Sequence, residues 1–292
     1  MKAQHITIVG LGLIGGSLGL AFRDIPGVVL TGVDSNPHTL TSAVEGGVVH
    51  YSTDDLVQGV QNADIIFLCT PVLQIIPLVK KMLPHLKSGT ILTDVGSTKG
   101  YLAAGLLALL PPDIHYVSGH PMAGGEKSGI LAAHKELFKD KWYILVPEAS
   151  TSLEAVESIG SILTYTGAIL TTMDVADHDQ YGAIISHVPH VAAAALVNLL
   201  DQYPDLEEKF KLVGGGFRDT TRIASSDADM WSDICMTNGE QITDSLLHLK
   251  AILDKVILAI QKGDRPAIHH FFKRAKIRRD ALITKTDSHT IL

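Results

Sequence analysis

Apolar, largely β-branched runs recur through the first 172 positions: 5–10 (HITIVG), 28–34 (VVLTGVD), 63–71 (ADIIFLCTP), 89–96 (GTILTDVG), 115–121 (HYVSGHP), 141–147 (KWYILVP) and 167–173 (GAILTTM). Each is followed by a helical or loop segment. Strands alternating with helices at this spacing predict a parallel sheet covered on both faces, a doubly wound α/β domain over 1–172. Beyond 173 the strand-like runs give way to long helical periodicities such as ITDSLLHLKAILDKVILAI at 242–260, so 173–292 is expected to be all-helical. Asp174 and Asp177 suit the N-cap of its first helix, and Gly214, Gly215 and Gly216 interrupt its middle. The apolar stretch 182–200 carries His187, Pro189, His190 and Asn198, which predicts a core helix rather than a membrane span. The 242–260 segment is apolar around much of its circumference, more than a small helical domain can bury alone, and this predicts a homodimer formed through the helices.

Composition sharpens this picture. With 292 residues, 46% apolar and 19% charged, the chain is long enough for two cores and too hydrophobic for extended disorder. Its 24 basic residues are outnumbered by 31 acidic ones, and neither half is net positive, which argues against a nucleic-acid partner. The local basic run at Lys273, Arg274, Lys276, Arg278 and Arg279 reads as the solvated face of a last helix. Two cysteines, Cys69 and Cys235, suggest free thiols rather than a disulfide framework. The first strand-like run begins within a few residues of Met1, leaving no room for a secretory leader, so a cytoplasmic, membrane-free protein is expected.

The first strand runs into Gly10-Leu11-Gly12-Leu13-Ile14-Gly15, a G-x-G-x-x-G between a strand and a helix. There glycines permit a tight turn, close approach to a pyrophosphate and close helix packing, and the helix N-terminus favours anions. The domain is therefore read as Rossmann-type, with Gly10, Gly12, Leu13, Ile14 and Gly15 around the pyrophosphate. Asp34 closes the second strand at the distance where a carboxylate accepts the adenosine ribose hydroxyls. It would repel a 2′-phosphate, and Ser35 and Asn36 rather than an Arg follow it, so NAD is preferred over NADP.

In open α/β sheets ligands lie beyond the carboxyl ends of the strands. Thr70 and Pro71, then Gly96, are placed there on the cofactor side. Asp94, Ser97 and Lys99 follow one strand; His120 and Met122-Ala123-Gly124-Gly125-Glu126 follow the next. Taking a hydride from a carbinol carbon requires a base that titrates near neutrality, a role His120 suits, while Ser97 is placed to align the substrate hydroxyl. His187 and His190 lie three apart in SHVPH; no further ligand completes a metal set, so no metal is expected, and one is read as a substrate contact, the other as a packing residue. Arg218 and Arg222, in GGGFRDTTRIASSDADMW, offer planar forks for carboxylates.

Five blocks in one order, VGLGLIGGSLGLA, DVGSTKG, GHPMAGGEKSG, SHVPHVAAAAL and GGGFRDTTRIASSDADMW, resemble the prephenate and arogenate dehydrogenases of tyrosine biosynthesis over almost the whole chain. The resemblance implies oxidative decarboxylation of prephenate to 4-hydroxyphenylpyruvate with hydride transfer to NAD, on a nucleotide domain joined to a helical dimerisation domain. By position it makes His120 the catalytic histidine, Ser97 its partner, Arg222 a carboxylate clamp and His190 a pocket histidine, with Glu126 and Asp179 ordering or gating the pocket. Arg218 stands where some relatives carry Lys, so its contact with substrate is left open. The sequence to Leu292 shows no match to the small regulatory domain that longer relatives append, so tyrosine control through such a domain is not expected, and direct competition at the active site stays open. Three alternatives stay open: arogenate as substrate, a β-hydroxyacid dehydrogenase, whose members usually use a helical-domain Lys where this chain has SHVPH, and an NAD-binding sensor without turnover.

Overall fold

The computed structural model describes residues 4–125 and 127–288, with side chains except those of 206, 207 and 283–288. Strands and helices alternate as β1 (Gln4–Val9), α1 (Leu13–Phe22), β2 (Val28–Val33), α2 (Pro37–Glu45), β3 (Tyr51–Thr53), α3 (Leu56–Val60), β4 (Ile65–Leu68), α4 (Val72–Met82), β5 (Ile91–Asp94), α5 (Gly100–Leu107), β6 (His115–Pro121), β7 (Trp142–Val146), α6 (Leu153–Leu163) and β8 (Ile169–Thr172). The eight strands form one sheet in the order β3-β2-β1-β4-β5-β6-β7-β8. Parallel pairing holds from β3 to β6, the arrangement of a doubly wound fold.

Two departures from the sequence expectation have simple causes. The three-residue edge strand β3 is too short to show a pattern, and it joins the sheet only by pairing with β2. The strand β7 runs antiparallel to β6, in register Ser118↔Val146 to Pro121↔Tyr143. Among the described residues the β6–β7 connection holds only a 3₁₀ turn, Ile130–Ala132, instead of the crossover helix that a parallel return requires.

Alternation along the inner strands divides the core. Ile65 and Phe67 face one layer with Ile6, Ile8, Phe22 and Leu30; Ile66 and Leu68 face the other with Val33, Ile75, Val79 and Leu102. Phe22 and Phe67 meet with ring centroids 5.2 Å apart. Burying both faces explains why these strands read as unbroken apolar runs.

After β8 the chain is helical: α7 (Val175–Gly182), a π turn at Ala183–His187, α8 (Val188–Asn198), α9 (Gly215–Thr221), α10 (Ala228–Thr237), α11 (Gly239–Gln261) and α12 (Arg265–Ser288). Asp174 caps α7 by accepting the Asp177 amide, so Asp177 lies inside the first turn rather than at the cap. The wide π turn precedes Pro189, which has no N–H and whose ring would strike a carbonyl one turn back; opening the helix relieves both problems. The run Val175–Gln202 is long and apolar enough to cross a membrane by length and composition, and only 17% of its apolar window is buried within the chain. Packing defines two compact units, Met1–Gly239 and Glu240–Leu292. The second consists of most of α11 together with α12, where Leu247, Ile252, Leu253, Ile257, Leu258 and Ile260 are exposed.

Candidate active site

Strand order reverses between β1 and β4, and the crevice at their carboxyl ends is where such a sheet accepts a ligand. Gly10 turns out of β1 with φ +93°, and a Cβ there would stand 2.8 Å from the Cys69 backbone. A Cβ on Gly15 would lie 2.0 Å from the Gly10 carbonyl oxygen, so α1 can pack on β1 only through glycine. Gly12 faces open space, with nothing within 4 Å of the position its Cβ would take. It is also the N-cap of α1 and supplies no side-chain acceptor, whereas Asn36, Asp55 and Ser152 cap α2, α3 and α6. The first amides of α1 therefore keep their capacity for an anion.

Asp34, just past β2, is held in place from two sides. Its Oδ2 accepts the Leu11 amide at 2.9 Å and its Oδ1 the Asn36 amide at 2.9 Å, which ties the glycine turn to the end of β2. Beyond β4, the Thr70 hydroxyl is buried with no hydrogen-bond partner among the described residues. An orphan of that kind costs about 1–3 kcal/mol, a cost that a polar ligand atom in the crevice would relieve. The uncapped helix, the open ground over Gly12, the tethered carboxylate and the orphaned hydroxyl all fit a dinucleotide. Pro71 follows Thr70 at the start of α4, and Gly96, whose amide donates to Asp94 Oδ2 at 2.8 Å, opens the next loop.

The loops after β5 and β6 lie side by side, because those strands pair in parallel. His120 sits at the end of β6, partly open on its surface. Its Nδ1 lies 2.8 Å from His178 Nε2, and the two rings meet edge-on, 62° apart. His178 is buried in α7, and its Nδ1 lies 2.9 Å from Asp179 Oδ1. Asp179 in turn accepts the Lys99 amide on Oδ1 and the Gly100 amide on Oδ2, each at 2.8 Å. This carboxylate thus caps α5 from another helix, since Lys99 gives α5 no side-chain cap of its own. Burial raises the Asp179 carboxyl, but the His178 bond and the Gly100 and Lys99 amides outweigh it and hold the pKa below the usual range. Burial also pushes the His120 pKa well below the ordinary histidine value, with His178, Lys99 and His187 adding to the effect. Its imidazole is therefore uncharged at neutral pH.

Beneath His120 lies a buried ion pair. Lys99 Nζ donates to Asp94 Oδ2 at 2.5 Å and to the Gly119 carbonyl at 2.6 Å, with both charged side chains wholly enclosed. The second oxygen of Asp94 accepts the hydroxyls of Tyr116 and Ser118 at 2.8 and 3.0 Å. This network binds the end of β5 to β6 next to His120. Ser97 is half-buried in the same loop, and its carbonyl lies across from Gly182 of α7.

On the helical side, His190 of α8 stacks on Trp231 of α10, with centroids 3.8 Å apart and planes 25° apart, while its Nδ1 lies 2.8 Å from the Ser186 carbonyl. His187 is buried beneath; Asn238 Nδ2 donates to the Asp179 carbonyl and lies 3.2 Å from His187 Nδ1. Burial lowers the His187 pKa to about 4. Arg222 begins the 3₁₀ turn Arg222–Ser225, which packs against α8, and Arg218 lies on α9; both are exposed. Glu126 lies outside the described residues. Among the described residues no group of three or more His, Cys, Asp or Glu is arranged to hold a metal ion.

Sequence reasoning missed His178, Trp231, Asn238 and the ion pair of Asp94 with Lys99. The first carried one signal, its position next to Asp179 in the opening turn of a helix.

A doubly wound sheet with an open glycine turn at its switch point, a carboxylate closing β2 and an imidazole at the end of β6 defines an NAD-dependent oxidoreductase. The sequence pattern described as "Prephenate dehydrogenase, nucleotide-binding domain" matches residues 18–172, and that described as "Prephenate dehydrogenase, dimerization domain" matches 174–274. The chain belongs to the prephenate dehydrogenase family. It is 36% identical over 280 residues to the prephenate dehydrogenase of Bacillus subtilis, covering 95% of this chain and 76% of that one. The structure of A. aeolicus prephenate dehydrogenase in complex with hydroxyphenyl propionate and NAD+ superposes with TM-score 0.88 at 31% identity, covering 97% and 99% of the two chains. Synechocystis arogenate dehydrogenase gives TM-score 0.81 at 33% identity, covering 96% and 100%.

Proposed function

We propose that this chain oxidises prephenate to 4-hydroxyphenylpyruvate and carbon dioxide at the expense of NAD, as a step of tyrosine biosynthesis. The observation that carries the reading is the placement of His120: it stands at the carboxyl end of β6 with one ring nitrogen engaged by His178 and the other left for a substrate. NAD, when bound, supplies the hydride acceptor. His120 removes the proton of the C4 hydroxyl as the hydride leaves that carbon. The ring carboxylate then departs as carbon dioxide, its bonding pair passes into the ring, and the phenolate oxygen takes the proton back from His120; the gain of aromaticity drives the step, so the protein has only to orient, shuttle one proton and bind. Ser97 aligns the hydroxyl, Arg222 grips a carboxylate with Arg218 beside it, and His190 forms the pocket wall with Trp231. Asp179 orders the pocket from behind through its amide bonds, and Glu126 keeps only the ordering or gating role that the family resemblance gives it. Gly10, Gly12, Leu13, Ile14 and Gly15 would hold the pyrophosphate, Asp34 the ribose, and Thr70, Pro71 and Gly96 the inner half of the cofactor.

Likeness to the Synechocystis arogenate dehydrogenase supports a second reading, in which the amino acid arogenate is the substrate. The two arginines, as donors, favour the keto acid; an ammonium would instead ask for an acidic acceptor. Following NADH absorbance with each substrate decides between them. A higher kcat/KM for prephenate supports the proposal, a large preference for arogenate replaces it, and NAD binding without turnover of either would mark a sensor.

We further infer a division into a nucleotide domain at 1–172 and a helical domain at 173–292 that pairs two copies of the chain. The exposed apolar residues of α11 and the thinly buried 175–202 run support this pairing, which would take place in the cytoplasm.

A further inference from the structure

Asp179 is a carboxylate and can only accept, so His178 Nδ1 must carry the proton in the bond between them. In neutral His178 the Nε2 is then a bare lone pair. The 2.8 Å contact to His120 can form only if His120 Nδ1 carries its proton and donates. That leaves His120 Nε2 as the nitrogen with an open lone pair. Imidazole otherwise holds its proton on either nitrogen, and only one of the two tautomers presents a base at Nε2.

We propose that His178 is a positioning residue that fixes His120 in the Nδ1–H tautomer, with Asp179 as its anchor. The anchor is itself rigid, because the Lys99 and Gly100 amides hold both of its oxygens and its backbone carbonyl accepts from Asn238. His178 is 1% exposed and touches no open ground of its own, so it acts on substrate only through His120. When His120 takes up a proton at Nε2, the Nδ1–H bond to His178 strengthens, because its donor is now charged. The inference rests on His120 being the base.

The test has two arms. In ¹⁵N spectra of the ring nitrogens, assigned with His120→Asn and His178→Gln and recorded with NAD bound, His120 is expected to show a protonated Nδ1 and a bare Nε2. A proton on His120 Nε2 would overturn the proposal, since it would mean that His178 is charged and donates in the opposite sense. This arm needs no turnover, so it stands even if prephenate proves not to be the substrate. In the second arm, His178→Phe removes the acceptor, and His178→Gln restores an amide oxygen near the position of Nε2. A wrong tautomer in an analogous histidine site costs roughly 10⁴-fold in kcat. The Phe variant is expected to lose about 10²–10⁴-fold in kcat, with the NAD Kd and the KM for prephenate nearly unchanged, and the Gln variant to recover at least about tenfold of that loss. Equal losses in both variants at equal Tm, or no loss in either, would overturn it. Should the Phe variant fail to fold, the Gln variant and the spectra still decide.

Discussion

Lys99 Nζ and Asp94 Oδ2 meet 2.5 Å apart with neither side chain exposed, at the junction of the two strands that end in the active site. Burial pulls the lysine pKa down while Asp94 pulls it up, and the ammonium also donates to the Gly119 carbonyl one residue before His120. Removing one member of a buried pair leaves the other uncompensated, at about 3–5 kcal/mol. Tyr116 and Ser118 still donate to Asp94, so Lys99→Met is expected near the lower end, about 3 kcal/mol by urea denaturation. A loss below about 1 kcal/mol would mean that the pair is structurally idle.

The tether between Asp34 and the Leu11 amide predicts a cofactor effect separate from chemistry. Hydrogen bonds to a charged group are worth about 1.5–3 kcal/mol each. Asp34→Ala should therefore raise the KM for NAD by about 10–100-fold while leaving kcat at saturating NAD within about twofold. Initial rates over a range of NAD concentrations check this, and an unchanged KM would remove Asp34 from the ribose site.

The buried histidines set a pH dependence of stability. His120 and His187 stay neutral in the folded chain, with pKa values well below and about 4, against 6.5 when unfolded. Between about 4 and 6.5 the unfolded chain thus binds more protons, so stability falls as pH falls through that window. Asp179 and Asp64 act lower down: their pKa values are reduced from 3.8, so their stabilisation is present above that value and is lost only as pH drops below it. The unfolding free energy from urea titrations should therefore fall from pH 7 to pH 5, by roughly 2 kcal/mol for His187 with a further loss in the same direction for His120, and His187→Gln should flatten the slope. A midpoint independent of pH over that range would contradict the buried neutral rings.

Much of this was legible in the residues. The glycine turn, Asp34 and the strand runs are local patterns, and local sterics decide them: only glycine survives at Gly15, 2.0 Å from a carbonyl. His120 was legible because the end of a strand is where a doubly wound sheet presents ligand contacts. His178 was not, since its meaning comes from the packing of α7 across α5 and β6, a relationship between residues 58 apart in the chain. For the same reason Asp179 drew a role only through resemblance, and its amide bonds to Lys99 and Gly100 span 80 and 79 residues. The antiparallel β7 was hidden because a strand's composition does not reveal its direction.

The most direct test of the account is the turnover number of His120→Asn with prephenate and saturating NAD. Loss of the base predicts a fall of about 10²–10⁴-fold, with NAD binding measured by titration unchanged. A kcat within about tenfold of the unsubstituted enzyme would contradict the assignment of His120 as the group that takes the proton.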